Sequence, residues 1–377
     1  MLRLLHTSDT HLGHQQYPRV GPDGLNQRES DIYAAWDRII ETAITEKPDL
    51  FIHAGDLFDG VRPGNRALAH AVGGFHRLAN AGIPVVVIAG NHEHPKLRET
   101  GSPFRLFDHL GIHAVYKGQA QTITLDAGGQ KVRVHAVPQC ADTETLASQV
   151  AALPTRRQAG PGALDILVVH GAVTGLPAFA HAEFNELQLD PSWFANFDYV
   201  ALGHFHGAKQ VAPNAWYCGA PERVSVAEAK EDKGFLDVRL SPGSPPQATF
   251  RALPARPYAD LPAIDAAGLD AAQVRHAAAD ALKRVPDGAV ARLRVTGLPT
   301  SLRGTLSPRE IERLCPQAMH CQAEFTWADD ANAVRGAAEI GAIPHEFESF
   351  AARQPLEGID RAALLARAKS LLQEALP

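Results

Sequence analysis

Five short apolar runs mark the first 206 residues of the chain, and each ends in polar residues of a metal-binding type. They read LRLLHTS (2 to 8), LFIHAG (50 to 55), VVVIAG (85 to 90), DILVV (165 to 169) and YVALG (199 to 203). Rich in Val, Ile and Leu, each has the length of a buried strand. Between the first two lies a loop with Pro18, Gly21, Pro22 and Gly24. A helix is expected from about Glu29, with Ile32, Trp36, Ile39 and Ala43 on one face. A second helical pattern, Leu68, Ala71, Phe75 and Leu78, precedes VVVIAG. Alternating strand and helix predicts a sheet covered by helices. From about Gln121 the pattern changes to the short alternating runs ITLDAGGQKVRVHAV, AWYCGAP and FLDVRL, read as antiparallel strands that build a second sheet on the first.

The turn-rich SPGSPP (241 to 246) marks a break about 35 positions after the last of the polar strand ends. Beyond it, Leu261 to Phe325 reads as a small α/β unit. Its expected elements are a helix around 271 to 284, a strand over 290 to 297, a helix around 308 to 315 and a strand near 321 to 327. Residues 328 to 357 look like linker, and 359 to 376 form an amphipathic stripe with Leu365, Ala368, Leu372 and Leu376. That end helix can dock on its own domain or on another protein. The expected division is 1–242, 258–328 and 329–377.

Composition narrows the class. At 377 residues and 45% hydrophobic content the chain can bury a large core and exceeds one comfortable domain. Its apolar runs are far shorter than the ~20 residues of a spanning helix, so no membrane is implied. The start, MLRLLHTSDTH, is too short in apolar residues for a signal peptide, and a cytoplasmic location is expected. Cys140, Cys218, Cys315 and Cys321 form no CxxC pair, which suggests reduced thiols. The net charge of −6 and the lack of basic runs argue against a surface coated with nucleic-acid-binding patches. They do not exclude nucleic acid, because two divalent cations would reverse the field at a site. Arg outnumbers Lys 27 to 9, which favours planar phosphate contacts or reflects a GC-rich genome.

The strand ends carry DTHLG (9 to 13), GDLFD (55 to 59), GNHE (90 to 93), VVHG (168 to 171) and GHFH (203 to 206). In layered α/β proteins ligands collect outside the carboxyl ends of strands, so five such ends predict one site. Asp9, His11, Asp56, Asn91, His92, His170, His204 and His206 offer carboxylate, imidazole and amide oxygen without thiolate. That set suits Mn²⁺, Fe²⁺ or Zn²⁺ and is unlike a structural zinc site. Eight such residues exceed the needs of one ion. Two ions about 3.5–4 Å apart, bridged by one carboxylate, would use seven and clamp an in-line phosphoryl displacement.

In order and context these motifs resemble the calcineurin-like metallophosphoesterase superfamily. DTHLG followed by QRESD, GDLFDGVRP, GNHE, GHFH and a downstream YCGAPERVSVAEAKEDKGF is similar to its SbcD-type double-strand-break-repair nuclease branch. The likeness spans about residues 1 to 240. It implies a four-layer sandwich, two packed mixed sheets flanked by helices, with a small α/β DNA-capping domain and a C-terminal helical segment that binds a partner. It implies that Asp9, His11, Asp56 and His206 hold a first metal and Asp56, Asn91, His170 and His204 a second, Mn²⁺ being the expected ion. His92 would be the catalytic, non-ligand histidine. From spacing alone, the Asp59 carboxylate is expected to orient the His92 imidazole and raise its pKa.

The resemblance further implies 3′-5′ exonuclease and single-strand endonuclease activity on DNA ends, an SbcC-like coiled-coil ATPase partner, and a homodimer formed through the helices near residues 68 to 110. The chain departs from that branch in two places. GNHE stands where GNHD is more usual, at a position not expected to be a ligand. His14 stands where an aromatic residue often touches DNA, leaving Tyr17 and Arg19 as substitutes. His53 and His135, inside strands, read as core histidines, His94 as loop surface and Trp36 as core. Two rival functions remain open: a cyclic-nucleotide or small-phosphodiester hydrolase, and a DNA-end tether with incidental nuclease activity.

Overall fold

The computed structural model describes residues 1–94, 101–154, 163–175, 186–328 and 365–367. Its elements run β1 (Leu2–Thr7), α1 (Gln27–Glu46), β2 (Leu50–His53), α2 (Asn65–Asn80), β3 (Val85–Ile88), β4 (His113–Val115), β5 (Gln121–Ala127), β6 (Gln130–Val137) and α3 (Thr143–Ala151). Then come β7 (Leu164–His170), β8 (Ala172–Val173), β9 (Gln188–Leu189), β10 (Tyr199–Gly203), β11 (Lys209–Ala212), β12 (Ala215–Tyr217), β13 (Gly234–Leu240) and β14 (Gln247–Ala252).

Two six-stranded sheets result, ordered β14-β13-β1-β2-β3-β4 and β11-β12-β10-β7-β6-β5. Both are mixed. β1, β2, β3 and β4 are parallel, with β13 antiparallel to β1, while β6, β7, β10 and β12 are parallel, with β5 and β11 antiparallel at the edges.

Period-2 alternation explains the layering, because strands with no polar face must bury both. Leu2, Leu4, Leu50, Ile52, Val86 and Ile88 point inward and meet Val132, Val134, Leu164, Ile166, Val168 and Ala201 of the second sheet. The alternate residues Leu5, Phe51, Val85 and Val87 point outward to α1 and α2, where Ile32, Trp36, Ile39, Phe75 and Leu78 cover them. Leu167, Val169, Val200 and Leu202 do the same on the far face beneath Leu146, Val150 and Phe194. The architecture is therefore the four-layer sandwich expected. α1 begins two residues before its expected start because the Asn26 side chain accepts hydrogen bonds from the backbone N–H groups of Arg28 and Glu29, capping the helix there.

An ion network ties the end of α1 to the first sheet. Arg3 on β1 donates to Asp237 on β13 and to Glu46, and Arg251 on β14 donates to Glu46 as well. Arg251 and then Arg3 hold the Glu46 carboxyl down to about 2. Its folded pKa lies below the unfolded value, so the pairing stabilises the fold above about pH 4.5 and is lost as pH falls toward 2. The pair is partly solvated, which limits it to about 1 kcal/mol. Glu46→Gln is expected to lower the urea midpoint slightly at pH 7, with the difference from wild type vanishing near pH 2.

The chain forms two compact units. The first comprises Met1–Asp260 with Val285–Ala291 and Gln317–His320, and the second the remainder. In the latter region α4 (Ala271–Leu282) opens with a capping box from Asp270 and Gln273 and buries Val274, Ala278 and Leu282. The other elements after residue 257 are β15 (Tyr258–Asp260), β16 (Ile264–Asp265), β17 (Val290–Leu298), α5 (Pro308–Glu312) and β18 (His320–Trp327). The expected helix over 359 to 376 lies outside the described residues apart from 365–367, which are helical. No helix among the described residues is long and apolar enough to cross a membrane. The four cysteines are buried, and none is in a disulfide among the described residues.

Candidate metal centre

The carboxyl ends of β1, β2, β3, β7 and β10 deliver their polar residues to one place. Loop residues after β1 run alongside those after β2: Asp9, His11 and Leu12 donate their N–H groups to the carbonyls of Gly55 (2.9 Å), Asp56 (3.1 Å) and Leu57 (2.8 Å). His204 N–H donates to Asp9 Oδ1 at 2.9 Å, and His92 N–H to Asp56 Oδ1 at 3.0 Å. Each carboxylate is thereby anchored by backbone from another strand end. Among the described residues, six non-glycine residues have positive φ, and Asp9 (52°), His11 (52°), Asp56 (53°) and His204 (105°) are four of them. A left-handed backbone is uncommon for such residues and costs about 1–3 kcal/mol each, so the surrounding hydrogen bonds must over-determine it. Two glycines permit the close approach: a Cβ on Gly55, itself at positive φ, would strike the His170 ring, and one on Gly203 would strike the Ala54 carbonyl oxygen.

Three overlapping groups have ligand atoms all within 4.8 Å of one another: Asp9, His11 and His206; His11, Asp56 and His92; and Asp56, His170 and His204. The Nε2 atoms of His11 and His206 face each other at 3.2 Å. His170 Nε2 lies 3.3 Å from Asp56 Oδ2 and 2.9 Å from Asn91 Oδ1, which is in turn 3.3 Å from His204 Nδ1. All seven expected ligands thus converge, and Asp56 belongs to two of the three groups. Donors of this chemistry, crowded with imidazole nitrogens turned toward one another, fit divalent cations.

Burial and neighbouring charges compete to set the protonation of these side chains. Burial pushes His11 and His204 below their ordinary values, the latter helped by the charge on His170. His170 is opposed by the same burial, but the neighbouring Asp56 carboxylate wins and raises it to about 9. Asp56 is held well below the usual carboxylate range despite burial, by His170 first and His11 next.

His92, 39% exposed, lines an open cleft of about 360 Å³ together with Asp56, Asn91, Glu186, His204, Phe205, His206, Ser225 and Glu228. The expected orientation of His92 by the Asp59 carboxylate is corrected. His92 Nδ1 donates to the backbone carbonyl of Asp59 at 3.0 Å, whereas the carboxylate turns the other way, to His14 Nδ1 at 3.0 Å and His11 Nδ1 at 3.5 Å. Both histidines hold Asp59 below its ordinary pKa against the effect of burial. His14 is therefore engaged within the protein, Tyr17 stacks on His320 at a centroid distance of 4.1 Å, and Arg19 is exposed.

His53 and His135 are core histidines, bonded to Thr10 (2.9 Å) and Asp165 (3.0 Å) respectively. Glu93 turns away from the centre and accepts the N–H groups of Phe58 (2.6 Å) and Gly90 (2.9 Å), bracing the two loops that carry Asp56 and Asn91. Burial, with the Asp56 charge, raises it to about 8. Sequence reasoning missed Glu186, whose Oε1 lies 3.1 Å from His204 Nε2, and Glu228, 3.0 Å from His206 Nδ1. Glu228 lies inside the YCGAPERVSVAEAKEDKGF string, so its signal was visible; Glu186 stands in no motif.

A model of the calcineurin-like phosphoesterase family matches residues 2–208, and the chain belongs to that family. Among curated proteins it is similar to several named DNA double-strand break repair protein Mre11. That of Sulfolobus acidocaldarius is 31% identical over 212 residues, covering 55% of this chain and 50% of that protein. That of Haloferax volcanii is 31% identical over 271 residues, 71% of this chain and 56% of that one. The Halobacterium salinarum protein is 28% identical over 349 residues, 88% and 80% respectively. The match spans about half the length of the first two relatives.

Proposed function

We propose that this chain is a metal-dependent DNA nuclease of double-strand-break repair. It degrades duplex ends as a 3′-5′ exonuclease, cuts single strands as an endonuclease, and works with an SbcC-like coiled-coil ATPase as a homodimer. The observation that carries the hydrolytic part is the convergence of Asp9, His11, Asp56, Asn91, His170, His204 and His206 at one place, where Asp56, Asn91, His204 and His206 line an open cleft. The DNA part is supported by the named function of the relatives. In this reading residues 1–242 form the nuclease, 258–328 cap the DNA and 329–377 carry the partner-binding helix.

Asp9, His11, Asp56 and His206 would hold one ion and Asp56, Asn91, His170 and His204 the other. Two Mn²⁺ ions there would act as Lewis acids on the phosphodiester and make hydroxide available near neutral pH. The rest falls to side chains. With Nδ1–H committed to the Asp59 carbonyl, His92 presents Nε2 to the cleft, and its protonated form donates to the leaving 3′ oxygen. The Asp9 and Asp56 carboxylates are pinned by the His204 and His92 amides, so neither must reorganise as the substrate binds.

The test is hydrolysis of end-labelled linear duplex DNA with Mn²⁺, Mg²⁺ or chelator. Mn²⁺-dependent shortening from 3′ ends is expected. Vigorous cleavage of a chromogenic phosphodiester with intact DNA would overturn the DNA reading and leave a small-molecule phosphodiesterase.

A further inference from the structure

His206 is held from both ends by a closed circuit that neither the family match nor the ligand set includes. Glu228 lies at the end of a single 3₁₀ turn, Val226–Glu228, capped by the Ser225 side chain, which accepts the Ala227 N–H at 3.0 Å. Its Oε1 takes the His206 Nδ1–H at 3.0 Å, and its Oε2 forms an ion pair with Lys233 Nζ at 2.6 Å. Lys233 Nζ donates onward to the carbonyl of the same residue, His206, at 2.9 Å, and to Glu231 Oε2 at 2.8 Å. The Lys233 side chain is 0% exposed. It immediately precedes β13, which is hydrogen-bonded along β1. Imidazole, carboxylate, ammonium and carbonyl thus close a ring that fixes both the rotation of the His206 side chain and the position of its backbone.

Burying an ammonium with two carboxylates is weak evidence for stability, since a hydrophobic replacement of similar volume often serves as well. Here the arrangement has a directional consequence. With Nδ1–H committed to Glu228, the lone pair of His206 lies on Nε2, the atom that faces His11 Nε2 at 3.2 Å, and both histidines share a group with Asp9. A carboxylate behind a ligating imidazole fixes its tautomer and raises its basicity.

We propose that Glu228, clamped by Lys233, is the positioning residue that makes His206 Nε2 a metal donor. The inference rests on the two-ion reading of the centre. Calorimetric titration of the metal-free protein with Mn²⁺ tests it in the wild type, Glu228→Gln and Glu228→Met. Two bound ions are expected in the wild type. In Glu228→Met one of them should weaken by ~10–100-fold. Glu228→Gln should lose less, because its amide oxygen still accepts the Nδ1–H, and saturating Mn²⁺ should restore most of its turnover. Unchanged affinity for both ions in Glu228→Met, in a protein melting like the wild type without metal, would overturn the proposal. A wild type that binds no ion would instead overturn the two-ion reading itself. Should the variants fail to fold, the ¹⁵N-histidine spectrum of the Zn²⁺-loaded wild type decides. His206 protonated at Nδ1 and metal-bound at Nε2 supports the proposal, and the reverse tautomer overturns it.

Discussion

Asp56→Asn is expected to lower Mn²⁺-dependent hydrolysis by ~10³-fold or more, since the lost electrostatic stabilisation is worth several kcal/mol. In the proposed assignment Asp56 is shared by the two sets of donors, and it belongs to two of the three clusters of ligand atoms. It is 2% exposed, its Oδ2 lies 3.3 Å from His170 Nε2 and 4.0 Å from His11 Nε2, and its Oδ1 accepts the His92 N–H. Asparagine keeps the shape and one acceptor, so that amide can still be satisfied. It removes the only anion common to both sets and can aim an NH₂ group at the ring of histidines. The change also reaches His170, whose pKa the Asp56 charge raises against the effect of burial, so its loss lowers that pKa. The fold therefore tolerates the change while the centre does not. Metal analysis of the purified variant alongside turnover separates the two, and a variant that retains two ions and a tenth of its activity would contradict the role given to Asp56.

His92→Ala is expected to reduce turnover by ~10²–10⁴-fold while leaving metal stoichiometry and affinity unchanged. Unchanged metal binding is the discriminating result, because His92 Nε2 lies 3.9 Å from Asp56 Oδ2 and His92 shares a group with His11 and Asp56. Its Nδ1 is occupied by the Asp59 carbonyl and its ring is far more exposed than those of His11 or His170, as suits a group that meets substrate. A His92→Ala protein that loses an ion would make His92 a ligand. Since a backbone carbonyl orients the ring, Asp59→Asn should leave that orientation intact.

The layered fold was legible because the runs LRLLHTS, LFIHAG, VVVIAG, DILVV and YVALG have no polar face, so both sides of each strand must be covered. The convergence of their ends was legible for the same reason. Which group orients His92 was not, because spacing places Asp59 near it without saying whether backbone or side chain does the work. Glu93 was set aside as a non-ligand, but its bracing of the Phe58 and Gly90 amides depends on a loop pairing that no local pattern encodes. Glu228 and Lys233 stood inside a string that carried family likeness, yet their partner His206 is 22 and 27 residues away and meets them only in the folded chain.

The most direct test of the centre is anomalous diffraction from crystals of the protein equilibrated with Mn²⁺. Two peaks about 3.5–4 Å apart, with an Asp56 oxygen touching both, are the result expected of a two-ion phosphodiesterase. A single peak, or peaks that Asp56 does not bridge, would contradict it.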